Sequence, residues 1–151
     1  MAYWLVKSEP EVFSIDAFKG AKVTQWDAVR NYQARNYLQS MKVGHEVLFY
    51  HSNAEPTGVA GVGKVKKIAY PDGLQFDAKS DYFEPRATKD KPVWFAPDIQ
   101  FVRKFKRVVT LAELRTEPAL KGMLVLKRGM RLSVQPVTER EFERIVEMSE
   151  E

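Results

Sequence analysis

The chain has 151 residues, 44% hydrophobic and 29% charged, which suits one globular domain of residues 1–151 that holds its core without crosslinks. It has no cysteine and two histidines, His45 and His51, which excludes disulfides and thiolate chemistry and leaves no basis for a metal site or a bound cofactor. No apolar run reaches the roughly 18 residues of a membrane span, and the apolar start meets Lys7 too early for a signal peptide, so a cytoplasmic, monomeric protein without membrane contact is expected.

Ala2–Val6 is aromatic and aliphatic and predicts a buried strand. Ser14 is placed to cap a short helix with Ile15 and Phe18 inward, ended by Gly20. Asn31 is placed to cap a longer helix, in which Ala34, Tyr37, Leu38 and Met41 follow a helical period and Gly44 marks the end. Glu46–Tyr50 reads as a central strand. Residues 57–70 are extended and carry Gly58, Gly61 and Gly63, the pattern of a bent or bulged strand. Pro71-Asp72-Gly73 is a turn, and residues 77–98, with three prolines, predict an irregular surface excursion around Trp94 and Phe95. Ile99–Val109 is strand-like. Thr110 to Glu113 and Thr138 to Glu141 are capping boxes that open two further helices. Between them Arg131–Val134 alternates like a strand closed by Pro136. Strands interrupted by short helices, without a regular βαβ rhythm, point to an α+β fold built on a small mixed β-barrel.

The net charge of +4 hides an asymmetry. Residues 139–151 carry six Glu and two Arg, whereas residues 1–138 carry 22 basic and 14 acidic groups, a balance of +8. Basic clusters at Arg103, Lys104, Lys106 and Arg107, and at Lys127, Arg128 and Arg131, are of the kind that neutralises phosphates.

Familiar catalytic patterns are missing. Gly58 to Lys64 resembles a phosphate loop only in glycine content, because Val65 follows the lysine where Ser or Thr is needed. Three polar–aromatic strings stand out instead. Tyr3–Pro10 runs from a strand into Lys7, Ser8 and Glu9, a cation, a hydroxyl and a carboxylate side by side. Thr24–Tyr37 alternates Trp, Arg, Asn and Tyr around a helix start, with Trp26 as a stacking face and Arg30 and Asn31 as planar edges suited to bases. Phe49–Asn53 ends a buried strand in His51, Ser52 and Asn53, where His51 serves either as a tunable proton carrier or as a structural group.

Tyr3–Pro10, Trp26–Asn36, Phe49–Asn53 and Arg131–Val137 together resemble the EVE domain family, in order and across nearly the whole chain. The resemblance implies a PUA-like fold, a mixed β-barrel flanked by short helices. It implies a non-catalytic domain that binds DNA or RNA carrying a modified base, with that base flipped into an aromatic and polar pocket. By position the pocket draws on Lys7, Ser8 and Glu9; on Trp26, Val29, Arg30 and Asn31; on His51, Ser52 and Asn53; and on Arg131, Leu132 and Ser133. Basic residues at 103–107 and 127–131 are then expected to hold phosphates. Three positions depart from the family pattern. Ala28 stands where Gly is usual, His45 replaces a common Asp as a surface change, and Pro97 replaces Val. Two other readings stay open: an enzyme acting on a nucleotide or small polar ligand with His51 and Glu9 as acid and base, and a protein-interaction module using the acidic helix at 138–148.

Overall fold

The computed structural model describes residues 1–151. Six strands form one mixed sheet in the order β2-β5-β4-β3-β1-β6. These are β1 (Tyr3–Ser8), β2 (Val23–Gln25), β3 (Glu46–His51), β4 (Gly58–Pro71), β5 (Phe95–Thr110) and β6 (Val134–Val137). Only β1 and β3 run parallel, with Lys7 opposite Tyr50 and Ser8 opposite His51. Both strands therefore end at the same rim of the sheet. The end strands β2 and β6 do not meet, so the expected barrel is realised as an open, bent sheet.

The bending sits where the glycines are. The pairing of β4 with β5 slips at four places, including Val59/Gly61 and Val62/Gly63. At Gly61 a Cβ would collide with the carbonyl of Arg103 and lie 2.7 Å from Ile15 Cδ1, so the two long strands cross there only because the side chain is absent.

Alternation along the strands divides the core between two faces. Trp4, Val6, Val47 and Phe49 pack on one face with Ile15 and Phe18 of α1 (Ile15–Ala21) and Ala34 and Leu38 of α2 (Tyr32–Ser40). Leu5, Leu48 and Tyr50 pack on the other with Leu114 of α3 (Leu111–Thr116) and Phe142, Ile145 and Met148 of α4 (Glu139–Ser149). The expected caps all form: Ser14, Asn31, Thr110 and Thr138 each accept a backbone N–H of the first turn, the last two as complete capping boxes.

Four boundaries differ from expectation. Strand β5 starts at Phe95 rather than Ile99, which takes Phe95–Asp98 out of the expected surface excursion, and Trp94 beside it is buried. Helix α1 runs past Gly20 and ends at Lys22, which takes the left-handed conformation at φ 68°. Helix α2 stops at Ser40, and Gly44, at φ 93°, serves the turn beyond it. Strand β6 starts at Val134 rather than Arg131 and contains Pro136, tolerated because β6 lies at the sheet edge. No helix is long and apolar enough to cross a membrane.

Candidate nucleic-acid interface

Two concave regions open near the rim where β1 ends. The first is a cleft of about 450 Å³ on the α1 and α2 side, and Lys7, Ser8, Trp26, Val29, Arg30 and Ser133 line it. The second is a wider groove of about 840 Å³ lined by His51, Ser52, Asn53, Arg115 and Lys127. Lys7 borders both. Glu9, Asn31, Arg131 and Leu132 line neither.

Trp26 is 7% exposed and forms part of the core. Phe13, Phe18 and Phe49 meet its ring edge-on, with centroids 6.2, 6.3 and 5.5 Å away. It thus shows the cleft a strip of indole rather than an open stacking face, and Phe13, Val12 and Val29 complete the apolar wall. No protein group accepts from its indole N–H, yet no side-chain polar atom of the structure is both sealed from solvent and unpaired. That N–H therefore keeps contact with solvent on a residue that lines the cleft.

The Arg30 guanidinium turns inward. It donates to Asp72 Oδ2 at 2.9 Å, to the Val29 carbonyl and twice to the Tyr82 carbonyl. It also lies over Trp94 and Tyr82, at 5.2 and 5.5 Å from the ring centroids. Arg30 thus joins the wall of the cleft to the irregular excursion before β5. Asp72, 1% exposed, also accepts the backbone N–H of Ala28 at 2.9 Å. Ala28 is held at φ 66°, the left-handed region where glycine is at ease. This is the physical reason for the glycine of the family pattern at this position.

Most other polar groups of the cleft are taken up within the protein. Lys7 Nζ donates to the Met130 carbonyl at 3.1 Å, and burial lowers its pKa. Ser8 Oγ donates to the Phe13 carbonyl, Thr24 Oγ1 to that of Gln25, and Gln25 Nε2 to three carbonyls. What remains is the Trp26 N–H, the Ser133 hydroxyl, the Gln25 side-chain oxygen and the Asp27 carboxylate. Asp27 makes no side-chain hydrogen bond to another residue, and burial together with the negative charge of Asp72 raises its pKa. Sequence reasoning passed over Asp27 and Phe13. Asp27 sits inside the string at 24–37, but a carboxylate is neither a stacking face nor a cationic edge.

His51 has a structural task. Its Nε2 accepts the backbone N–H of Ile15 at 3.1 Å, at the start of α1, and burial lowers its pKa. Glu9, which lines neither concavity, accepts from Asn53 Nδ2 at 2.7 Å at the margin of the groove. The two therefore do not share a cleft, which removes the geometric motive for an acid–base pair. Asn31 uses its carbonyl oxygen to cap α2. His45 is no mere surface change: its Nδ1 accepts both the Trp4 indole N–H and the Lys42 amide, each at 3.1 Å.

The two basic clusters part company. Arg103, Lys104 and Arg107 form ion pairs with Glu150, Asp16 and Glu113, at 3.3, 2.8 and 2.7 Å. Lys127, Arg128 and Arg131 pair with no carboxylate. On α4, Arg144 pairs with Glu147 of the same helix and with Glu117 and Glu151 beyond it.

A family model described as the EVE domain matches residues 2–148. Human thymocyte nuclear protein 1 is 43% identical over 168 residues, spanning 99% of this chain and 74% of the relative. A hypothetical protein from Leishmania major superposes with a TM-score of 0.94 at 47% identity, over 99% of this chain and 95% of that one. The human THYN1 protein, solved in complex with 5-methylcytosine containing DNA, superposes with a TM-score of 0.91 at 44% identity, over 100% of this chain and 99% of that one. With its sheet, its motifs and nearly its whole length matched, the chain belongs to the EVE domain family.

Proposed function

We propose that this chain is a non-catalytic reader that takes a modified base of a nucleic acid, 5-methylcytosine first among candidates, into the Trp26 cleft. The carrying observation is that Trp26, though almost wholly buried, keeps a free N–H at a cleft that joins an apolar wall of Val12, Phe13 and Val29 to polar groups. The complex of the human relative with 5-methylcytosine containing DNA supports the choice of base. Extracting a base costs a few kcal/mol, and apolar wall contacts with edge hydrogen bonds offset that cost. The domain of residues 1–151 acts as one unit. Lys127, Arg128 and Arg131 meet phosphates, because their charge is not already matched by the protein, while Lys7, Ser8, Val29 and Ser133 shape the cleft. Arg30 acts on the base only through the wall it holds. His51, Ser52 and Asn53 border the neighbouring groove, where the strand continues. The protein works wherever its nucleic acid resides, a broader expectation than the cytoplasm alone.

The test is a titration of labelled oligonucleotides, methylated and plain, against wild type and Trp26→Ala. The expected result is tighter binding to the methylated strand, lost in the variant, with affinity falling as salt rises. Equal binding of both strands by both proteins overturns the reading.

A further inference from the structure

We infer that Asp27 is the specificity-determining group of the Trp26 cleft, accepting a hydrogen bond from the exocyclic amino group of a cytosine-type base. This inference rests on the base-reading function proposed above. It comes from the polar inventory of the cleft. The cation Lys7, the guanidinium of Arg30, the amide of Gln25 and the hydroxyls of Ser8 and Thr24 all direct their donors to protein acceptors. Asp27 is the one carboxylate lining the cleft; it is exposed, and no other residue donates a hydrogen bond to it.

A carboxylate only accepts, so the base it favours must present a donor. The pyrimidine edge of cytosine offers its 4-amino group as a donor, next to the acceptors N3 and O2. Two of the remaining free groups suit those acceptors, since the Trp26 N–H donates and the Ser133 hydroxyl can do either. Thymine carries the same 5-methyl group but shows O4, an acceptor, where 5-methylcytosine shows the amino group. The methyl group can therefore be read by the apolar wall while Asp27 separates the two methylated pyrimidines.

Asp27 also behaves like a residue kept for a ligand. Partial burial and the nearby Asp72 charge disfavour its ionised form, offset only in part by its own backbone N–H and by Arg30. Asp27→Ala is thus expected to fold with an unchanged or higher melting temperature, which thermal unfolding checks alongside binding.

The experiment places one test base opposite an abasic site, so that pairing energies do not differ, in otherwise identical oligonucleotides. The bases are 5-methylcytosine, thymine and 5-methyl-2-pyrimidinone, which lacks the 4-amino group. Wild type is expected to favour 5-methylcytosine about tenfold or more over each of the others. In Asp27→Ala the three affinities should converge to within about threefold, the rest of that discrimination being lost with the carboxylate. An unchanged preference in Asp27→Ala overturns the role of Asp27 and leaves the base-reading function standing. So does a wild type that binds the three alike in a Trp26-dependent manner. Binding that depends on neither the test base nor Trp26 overturns both.

Discussion

Trp26 and Trp94 expose 7% and 5% of their surfaces, yet they stand in different relations to the rest of the molecule. Trp94 is fully engaged. Its N–H donates to Glu84 at 3.2 Å, Tyr32 stacks on it at 5.0 Å, and Arg30 and Arg35 lie over its ring at 5.2 and 5.9 Å. Trp26 is wedged among three phenylalanines and keeps its N–H unassigned. Trp4 sides with Trp94, since His45 accepts its N–H. Equal burial therefore does not mean equal purpose. The ring with an unmatched polar atom marks the place where something from outside completes the structure.

The largest effect is expected where the two regions are joined. Asp72→Ala leaves Arg30 without its counter-ion and frees the Ala28 amide, and should cost about 3–5 kcal/mol of stability by denaturant unfolding. A loss below about 1 kcal/mol would show that the junction is not built as described. Substitution of each indole by phenyl comes next. Trp94→Phe removes a charge-assisted hydrogen bond and ring area, and should cost about 2–4 kcal/mol. Trp26→Phe should cost less, about 1–2 kcal/mol, while weakening 5-methylcytosine binding about tenfold through the lost N–H. Thermal melts and titrations of the pair side by side would break the comparison if both variants lost stability and binding in equal measure. The smallest effect concerns the backbone beside Trp26. Ala28→Gly relieves a left-handed alanine at some cost in chain entropy, and should raise stability by about 0.5–1 kcal/mol, read as a higher denaturant midpoint.

Local features were legible in the sequence. Ser14, Asn31, Thr110 and Thr138 announce their helices because a cap is a contact between residues three apart. The glycines of β4 announce its bends for the same reason of proximity. Long-range assignments were not legible. Nothing local ties Arg30 to Asp72, 42 residues on, or His51 to the amide of Ile15. Arg30, Asn31 and His51 are of the residue types that touch bases, but the fold engages each of them elsewhere. Arg131–Ser133 looks like a strand by alternation, yet only the Ser133 carbonyl reaches β1, at Lys7, before regular pairing starts at Val134. Six of the thirteen residues expected in the pocket do line the Trp26 cleft. Asp27 went unnoticed because its significance lies in the contacts it does not make, and these show only when its neighbours' partners are known.

The mismatch in length between β2 and β5 has a consequence of its own. Strand β2 covers only Asp98–Gln100 of β5, so the next ten residues of that strand have no strand partner on one side. Beyond Phe101, whose N–H donates to the Lys22 carbonyl, an edge without a strand partner invites another chain to add itself, the first step of aggregation. Arg103, Lys104, Lys106 and Arg107 all fall on that stretch. Three of these are ion-paired with Glu150, Asp16 and Glu113, so the edge carries long charged side chains already tied to their own carboxylates, which blunts it against strand addition. The composition that suggests a nucleic-acid contact there is also that of a strand edge guarded against pairing with its like.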